Sequence, residues 1–145
     1  MKTLLTSLLI TLTISTFGQH ADNTLISFDG LYETECEFEV EDEKDGTQYY
    51  LRFYPDGKVI SIGTECNDTI DKLLDWFHVN SEQVSIGNYK IARRNIRFST
   101  TSKSGTVQYK GQIMDDKLID VKWKSLINGK RGHNAYKFVY LNGLK

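Results

Sequence analysis

The chain has 145 residues, a formal net charge of −1, 39% hydrophobic residues, a single proline and two cysteines. That length suits one domain with a sizeable core and excludes dependence on a dense disulfide framework. The near-neutral charge excludes an overall electrostatic pull toward nucleic acid or an anionic membrane.

Residues 1–18 read as a secretory signal peptide. Lys2 gives a short basic start, Leu4 to Ile14 is mostly apolar, and Thr16-Phe17-Gly18 ends in a small residue suited to cleavage. The apolar stretch is short for a bilayer span, and no other run approaches that length. The expected organisation is therefore a leader over 1–18, a linker over 19–28 and a β domain over 29–145. The expected location is secreted or periplasmic, with no membrane span.

From Gly30 to Gly63 the sequence reads as three consecutive antiparallel strands. In the first, Glu33, Glu35, Glu37 and Glu39 alternate with Tyr32, Thr34, Cys36, Phe38 and Val40, giving one wet and one buried face. The second, Gln48 to Tyr54, is rich in aromatic strand formers. Tyr54-Pro55-Asp56-Gly57-Lys58 then supplies hairpin turn chemistry, with Gly57 free to take positive φ. Tyr54 opposite Lys58 sets Phe53 against Val59 and Arg52 against Ile60. Both faces of this hairpin carry apolar groups; Leu51, Phe53 and Val59 are assigned to the inside.

Cys36 and Cys66 either pair in an oxidising compartment or remain two buried thiols. A bond would cross the barrel end, or form where the chain leaves the third strand and folds back. Asn67-Asp68-Thr69 fits the N-glycosylation pattern. Asp68 reads as the N-cap of a helix over 69–79, whose Ile70, Leu73, Leu74 and Phe77 make one apolar stripe. This helix is expected to lie across an open end of the β structure, with His78 complementing its C-terminal dipole.

Strand rhythm then resumes over Val84 to Ala92, with Gly87-Asn88 read as a bulge or bend, and over Ile96 to Thr101. Thr106 to Met114 alternates Val107, Tyr109, Gly111 and Ile113 with Gln108, Lys110 and Gln112. Leu118 to Ser125 sets Ile119, Val121 and Trp123 against Asp120, Lys122 and Lys124. A loop from Asn128 reaches Asn134, and Tyr136 to Leu141 is the last strand. The predicted fold is all-β: an eight-stranded antiparallel up-and-down meander closing into a barrel, with one helix between strands three and four. Closure removes both sheet edges.

Gly30-Leu31-Tyr32 at the head of eight meander strands resembles the lipocalin-like small barrels of the calycin group. In that family a Gly-x-Trp opens the first strand and a basic residue packs over it. Here Tyr32 stands in the tryptophan position, the end of the chain offers only Lys145 as the cation because Lys137 lies inside strand eight, and the helix precedes strand four rather than following strand eight. The resemblance implies a central cavity for a small, mostly apolar ligand.

Under the facing assignments above, Tyr32, Phe38, Phe53, Tyr89, Phe98, Tyr109, Trp123 and Tyr136 are the candidate ligand-binding residues, with Leu51 and Phe138 among their neighbours. Eight strands enclose either a filled core or one small ligand, so both outcomes stand. His20, His78 and His133 are scattered, and HExxH, CxxC and GxSxG are absent from the sequence. A non-enzymatic protein without cofactor or metal is expected. Two readings follow: a carrier or sensor of a small hydrophobic molecule, or an interaction or inhibitor module using a filled barrel as scaffold. Charge is unevenly spread. Asp29 to Asp45 is acidic, while Lys90 to Lys137 is basic and includes Arg93, Arg94, Arg97, Lys122, Lys124, Lys130 and Arg131. Cross-strand pairing between acidic and basic strands is the favoured account, with an anion-binding patch as its rival. Nucleic acid is not an expected partner.

Overall fold

The computed structural model describes residues 25–38, 45–66, 68–77, 81, 84–115 and 117–144. The expected signal peptide, Val40, Asn67, His20, His78 and Lys145 lie outside these. The elements are β1 (Gly30–Glu33), β2 (Thr47–Phe53), β3 (Lys58–Glu65), α1 (Ile70–Trp76), β4 (Ser85–Ala92), β5 (Asn95–Ser102), β6 (Gly105–Asp115), β7 (Leu118–Ser125) and β8 (Arg131–Tyr140). Each strand pairs antiparallel with the next, and β8 pairs with β1, so the sheet closes into a barrel in chain order. The eight-stranded meander is compatible with a lipocalin-like fold.

Period-two alternation places the core. Tyr32, Leu51, Phe53, Val59, Tyr89, Ile96, Phe98, Ile113, Ile119, Val121 and Tyr136 converge in one buried interior cluster. Phe53 sits edge-on to Tyr32, Tyr89 and Phe98, with centroids 5.1–5.7 Å apart, an arrangement that suits ring quadrupoles. The hairpin register is as the turn chemistry predicted: Phe53 opposes Val59 and Arg52 opposes Ile60. Gly57 takes φ +88°, and its N–H donates to the Tyr54 carbonyl at 3.1 Å.

The barrel end where β1 starts and β2 finishes is plugged by the segment preceding β1. Ile26 is buried in the core, Leu25 and Phe28 pack against it, and the Ser27 N–H donates to the Tyr32 hydroxyl at 3.0 Å. Residues 25–28, placed in a linker from the sequence, thus contribute to the barrel interior.

The helix does not lie across a barrel end. Leu73 and Phe77 form a second buried cluster with Leu31, Tyr50, Ile60, Val84 and Leu141, on the outer face of β1, β2 and β3. This is why the β2–β3 hairpin is apolar on both sides: one face fills the barrel and the other is covered by α1. The N-cap is Thr69 rather than Asp68; its side chain accepts the Lys72 N–H at 3.4 Å. Asp68 instead accepts from the Lys72 ammonium at 2.7 Å and from the Thr64 hydroxyl.

Three further expectations are corrected. β1 ends at Glu33, and the pairing resumes only at a Glu37–Thr47 bridge. The Thr34 N–H donates to Tyr49 O, so three residues of the first segment advance from Thr34 to Glu37 while two of its partner advance from Tyr49 to Thr47. One extra residue reverses the alternation. Phe38 therefore faces solvent, 55% exposed, and is not an interior residue. Gly87-Asn88 is no bulge but regular ladder, in which a Cβ on Gly87 would lie 1.6 Å from the Ser99 carbonyl oxygen. β8 begins at Arg131, so Arg131 to Asn134 are strand rather than loop.

Candidate functional site

At the other end of the barrel, where β2 begins and β7 finishes, the interior is not filled. A cavity of about 180 Å³ is lined by Tyr49, Val107, Tyr109, Trp123, Asn134 and Tyr136. Each lies on the inward parity of its strand: Tyr109 opposes Trp123, and Trp123 opposes Gly132, two residues from Asn134.

Two polar clusters set the shape of this cavity. Beside it, the Ser61 hydroxyl lies 3.2 Å from that of Thr100 and 3.4 Å from that of Tyr109. The Tyr109 ring stacks on Phe98 with centroids 4.4 Å apart. In the wall, Trp123 Nε1 donates to Asn134 Oδ1 at 2.6 Å, and Asn134 Nδ2 donates to Glu37 Oε1 at 3.0 Å. The slip that turns Phe38 outward is what turns Glu37 toward the Asn134 amide.

Burial pushes the Tyr136 hydroxyl well above its ordinary pKa and raises that of Tyr109 as well, so both are neutral phenols at physiological pH. The lining offers apolar surface, neutral hydroxyls and one oriented amide. Phe38, Tyr49, Leu126 and Ile127 are exposed apolar groups on segments at this same end.

Of the candidate residues from the sequence, Tyr109, Trp123 and Tyr136 come together at the cavity. Tyr32, Phe53, Tyr89 and Phe98 are inside but serve as packed core below it. Phe38 stands apart on the surface. Tyr49, Asn134 and Glu37 were missed: Asn134 because the glycines at 129 and 132 resembled loop chemistry, Glu37 because a bulge leaves no mark on an alternating sequence. Cys36 and Cys66 form a disulfide with Cα atoms 5.7 Å apart, tying the Glu37 segment to the end of β3 across the first residues of β2.

No protein-family model matches this chain, and neither a curated protein nor a solved structure matches it.

Proposed function

We propose that this protein is an exported, non-catalytic binding barrel of the lipocalin-like kind that holds a small, mostly apolar molecule in the Tyr49–Trp123–Tyr136 cavity. The observation that carries this reading is an aromatic cavity, open at the barrel end, with a single oriented amide, Asn134, in its wall. Apolar lining with few polar groups is the usual composition of small-molecule sites. At about 180 Å³ the space is smaller than a drug-sized pocket, so the ligand is compact, or is one end of a longer chain that emerges past the apolar rim. The disulfide agrees with an oxidising compartment.

A test uses the indole of Trp123 as reporter. Native mass spectrometry of the purified protein should recover a bound compound, and an apolar fluorophore such as anilinonaphthalene sulfonate should bind and perturb tryptophan emission. Val107→Phe, which fills the cavity from one wall, should abolish both effects without unfolding the barrel. A folded Val107→Phe variant that binds the fluorophore as the parent does would overturn the assignment.

A second reading is favoured by the close aromatic packing around Phe53, which occupies most of the interior. Here the filled barrel is a scaffold for an interaction surface, and absence of any ligand or fluorophore uptake would select it.

A further inference from the structure

The acidic first strand meets a basic partner at one place, where Glu33 opposes Lys137 of β8. β1 pairs with β2 and β8, so Glu33 does not border β4 to β7. Instead, Lys90 opposes Arg97, Arg97 opposes Lys110, Lys110 opposes Lys122, and Lys122 opposes His133. All five side chains are exposed on the outer face. Strands lie about 4.8 Å apart, so Lys90, Arg97, Lys110 and Lys122 form a band of four cations that curves around the outside of the barrel for roughly 15 Å, with His133 at its end. Like charges directly opposite one another destabilise a sheet. Among the described residues, none of Lys90, Arg97, Lys110 or Lys122 has a carboxylate within ion-pair distance, and only His133 meets one, Asp120. The fold therefore retains a costly arrangement that an external anion would relieve.

We propose that this row is a binding surface for a linear acidic polysaccharide, a polymer bearing one carboxylate or sulfate per sugar or disaccharide. Such a chain, with one charge per sugar, repeats its charge on the scale of the strand spacing and can follow the curve of the barrel wall. The rows flanking the cations present Asn88, Ser99 and Gln108 on one side and Asn95 and Gln112 on the other, all exposed. These are hydrogen-bonding partners for sugar hydroxyls. A single-stranded nucleic acid wants aromatic platforms for its bases, and the aromatic residues of these strands, Tyr89, Phe98, Tyr109 and Trp123, all point inward. A membrane surface wants large apolar side chains beside the cations; the flanking row holds the small Ala92 and Ala135, and Met114 is the one large apolar group beside Lys110 and Lys122 among the described residues. The surface lies on the outside of the wall and acts whether or not the cavity holds a ligand.

The test compares two variants of equal net charge on heparin and on polygalacturonate. Lys110→Gln/Lys122→Gln removes the centre of the row; Lys72→Gln/Lys137→Gln removes two cations elsewhere. The parent should bind either polymer at low ionic strength, with affinity falling as salt rises, by analogy with counterion release from other polyanions. The row variant should lose at least tenfold in affinity and the control variant less than twofold. The row variant should also unfold at an equal or higher denaturant concentration, since repulsion has been removed. Equal losses in the two variants, or no binding by the parent, would overturn the proposal. So would tighter binding of a mixed-sequence single-stranded DNA or of phosphatidylglycerol vesicles than of either polysaccharide.

Discussion

Arg52 donates from Nη1 to the carbonyl oxygen of Phe77 at 2.8 Å, so the cation at the end of the helix comes from the barrel wall. The last turn of α1 carries no basic residue of its own. Arg52 is almost fully buried, and its guanidinium lies over the Tyr54 ring at 4.5 Å, while the Tyr54 hydroxyl donates to the same carbonyl at 3.2 Å. A helix of 7 residues is far too short to persist alone, so this clamp and the apolar face beneath hold it in place.

Arg52→Leu keeps the side-chain volume and removes the charged donor. A hydrogen bond from a charged group is worth about 2 kcal/mol, which is the expected loss of stability. Amide exchange at Leu73 and Phe77 should accelerate more than exchange in the interior strands. A variant with unchanged midpoint and unchanged exchange would show that Tyr54 holds the helix end alone.

What the sequence discloses here depends on whether a residue's surroundings are local. The Tyr54-Pro55-Asp56-Gly57-Lys58 turn and the alternation of Leu118 to Ser125 are set by neighbours in the chain, and both are found as read. The apolar outer face of Leu31, Tyr50 and Ile60 was ambiguous, because what covers it arrives from a helix 10 or more residues onward in the chain. The cationic row was invisible for a similar reason: each strand alternates unremarkably, and only the register sets Lys110 against Lys122. Three of the cavity's aromatics were legible from period-two burial, whereas Glu37 depended on a one-residue slip that composition does not encode.

Alkaline pH should weaken the barrel through its tyrosines. Burial, aided by nearby carboxylates, pushes Tyr50 and Tyr89 up to about 12, and burial also raises Tyr109 and Tyr136. In the unfolded chain these phenols titrate near 10. Between about 10 and 12 the folded state retains protons that the unfolded state has released, so stability falls as pH rises through that window and is flat below it. Urea midpoints measured from pH 8 to 11 should show this decline, shallower in Tyr50→Phe/Tyr89→Phe. An identical slope in that double variant would remove these two residues as its cause.

Gly132 is the point where the indole of Trp123 presses on the backbone. A Cβ there would lie 2.4 Å from Cζ2 and 2.7 Å from Nε1 of the ring. Gly132→Ala therefore displaces the indole from Asn134 and closes the cavity, at an overpacking cost of about 1–3 kcal/mol. Tryptophan emission should shift and the fluorophore should no longer bind. Parent-like emission and binding in the alanine variant would mean that Trp123 does not rest where Gly132 places it.

The disulfide carries a separate prediction, because it restrains the unfolded chain and the cavity wall at once. Cys36 and Cys66 are 30 residues apart, and closing a loop of that size is worth roughly 3–4 kcal/mol in the chain-entropy account. The bond passes close to Gly46, where a Cβ would meet the Cys36 sulfur, the Glu37 carbonyl oxygen and the Phe38 ring, each at 2.8 Å. Cys36→Ser/Cys66→Ser should lower the unfolding free energy by that amount, read as a drop in denaturant midpoint at unchanged m, and reducing the parent with dithiothreitol should match it. The same change loosens the segment that brings Glu37 to Asn134, so fluorophore affinity should fall even under conditions where the barrel remains folded. A double variant that unfolds with the parent would show that the strand ladder alone fixes this corner.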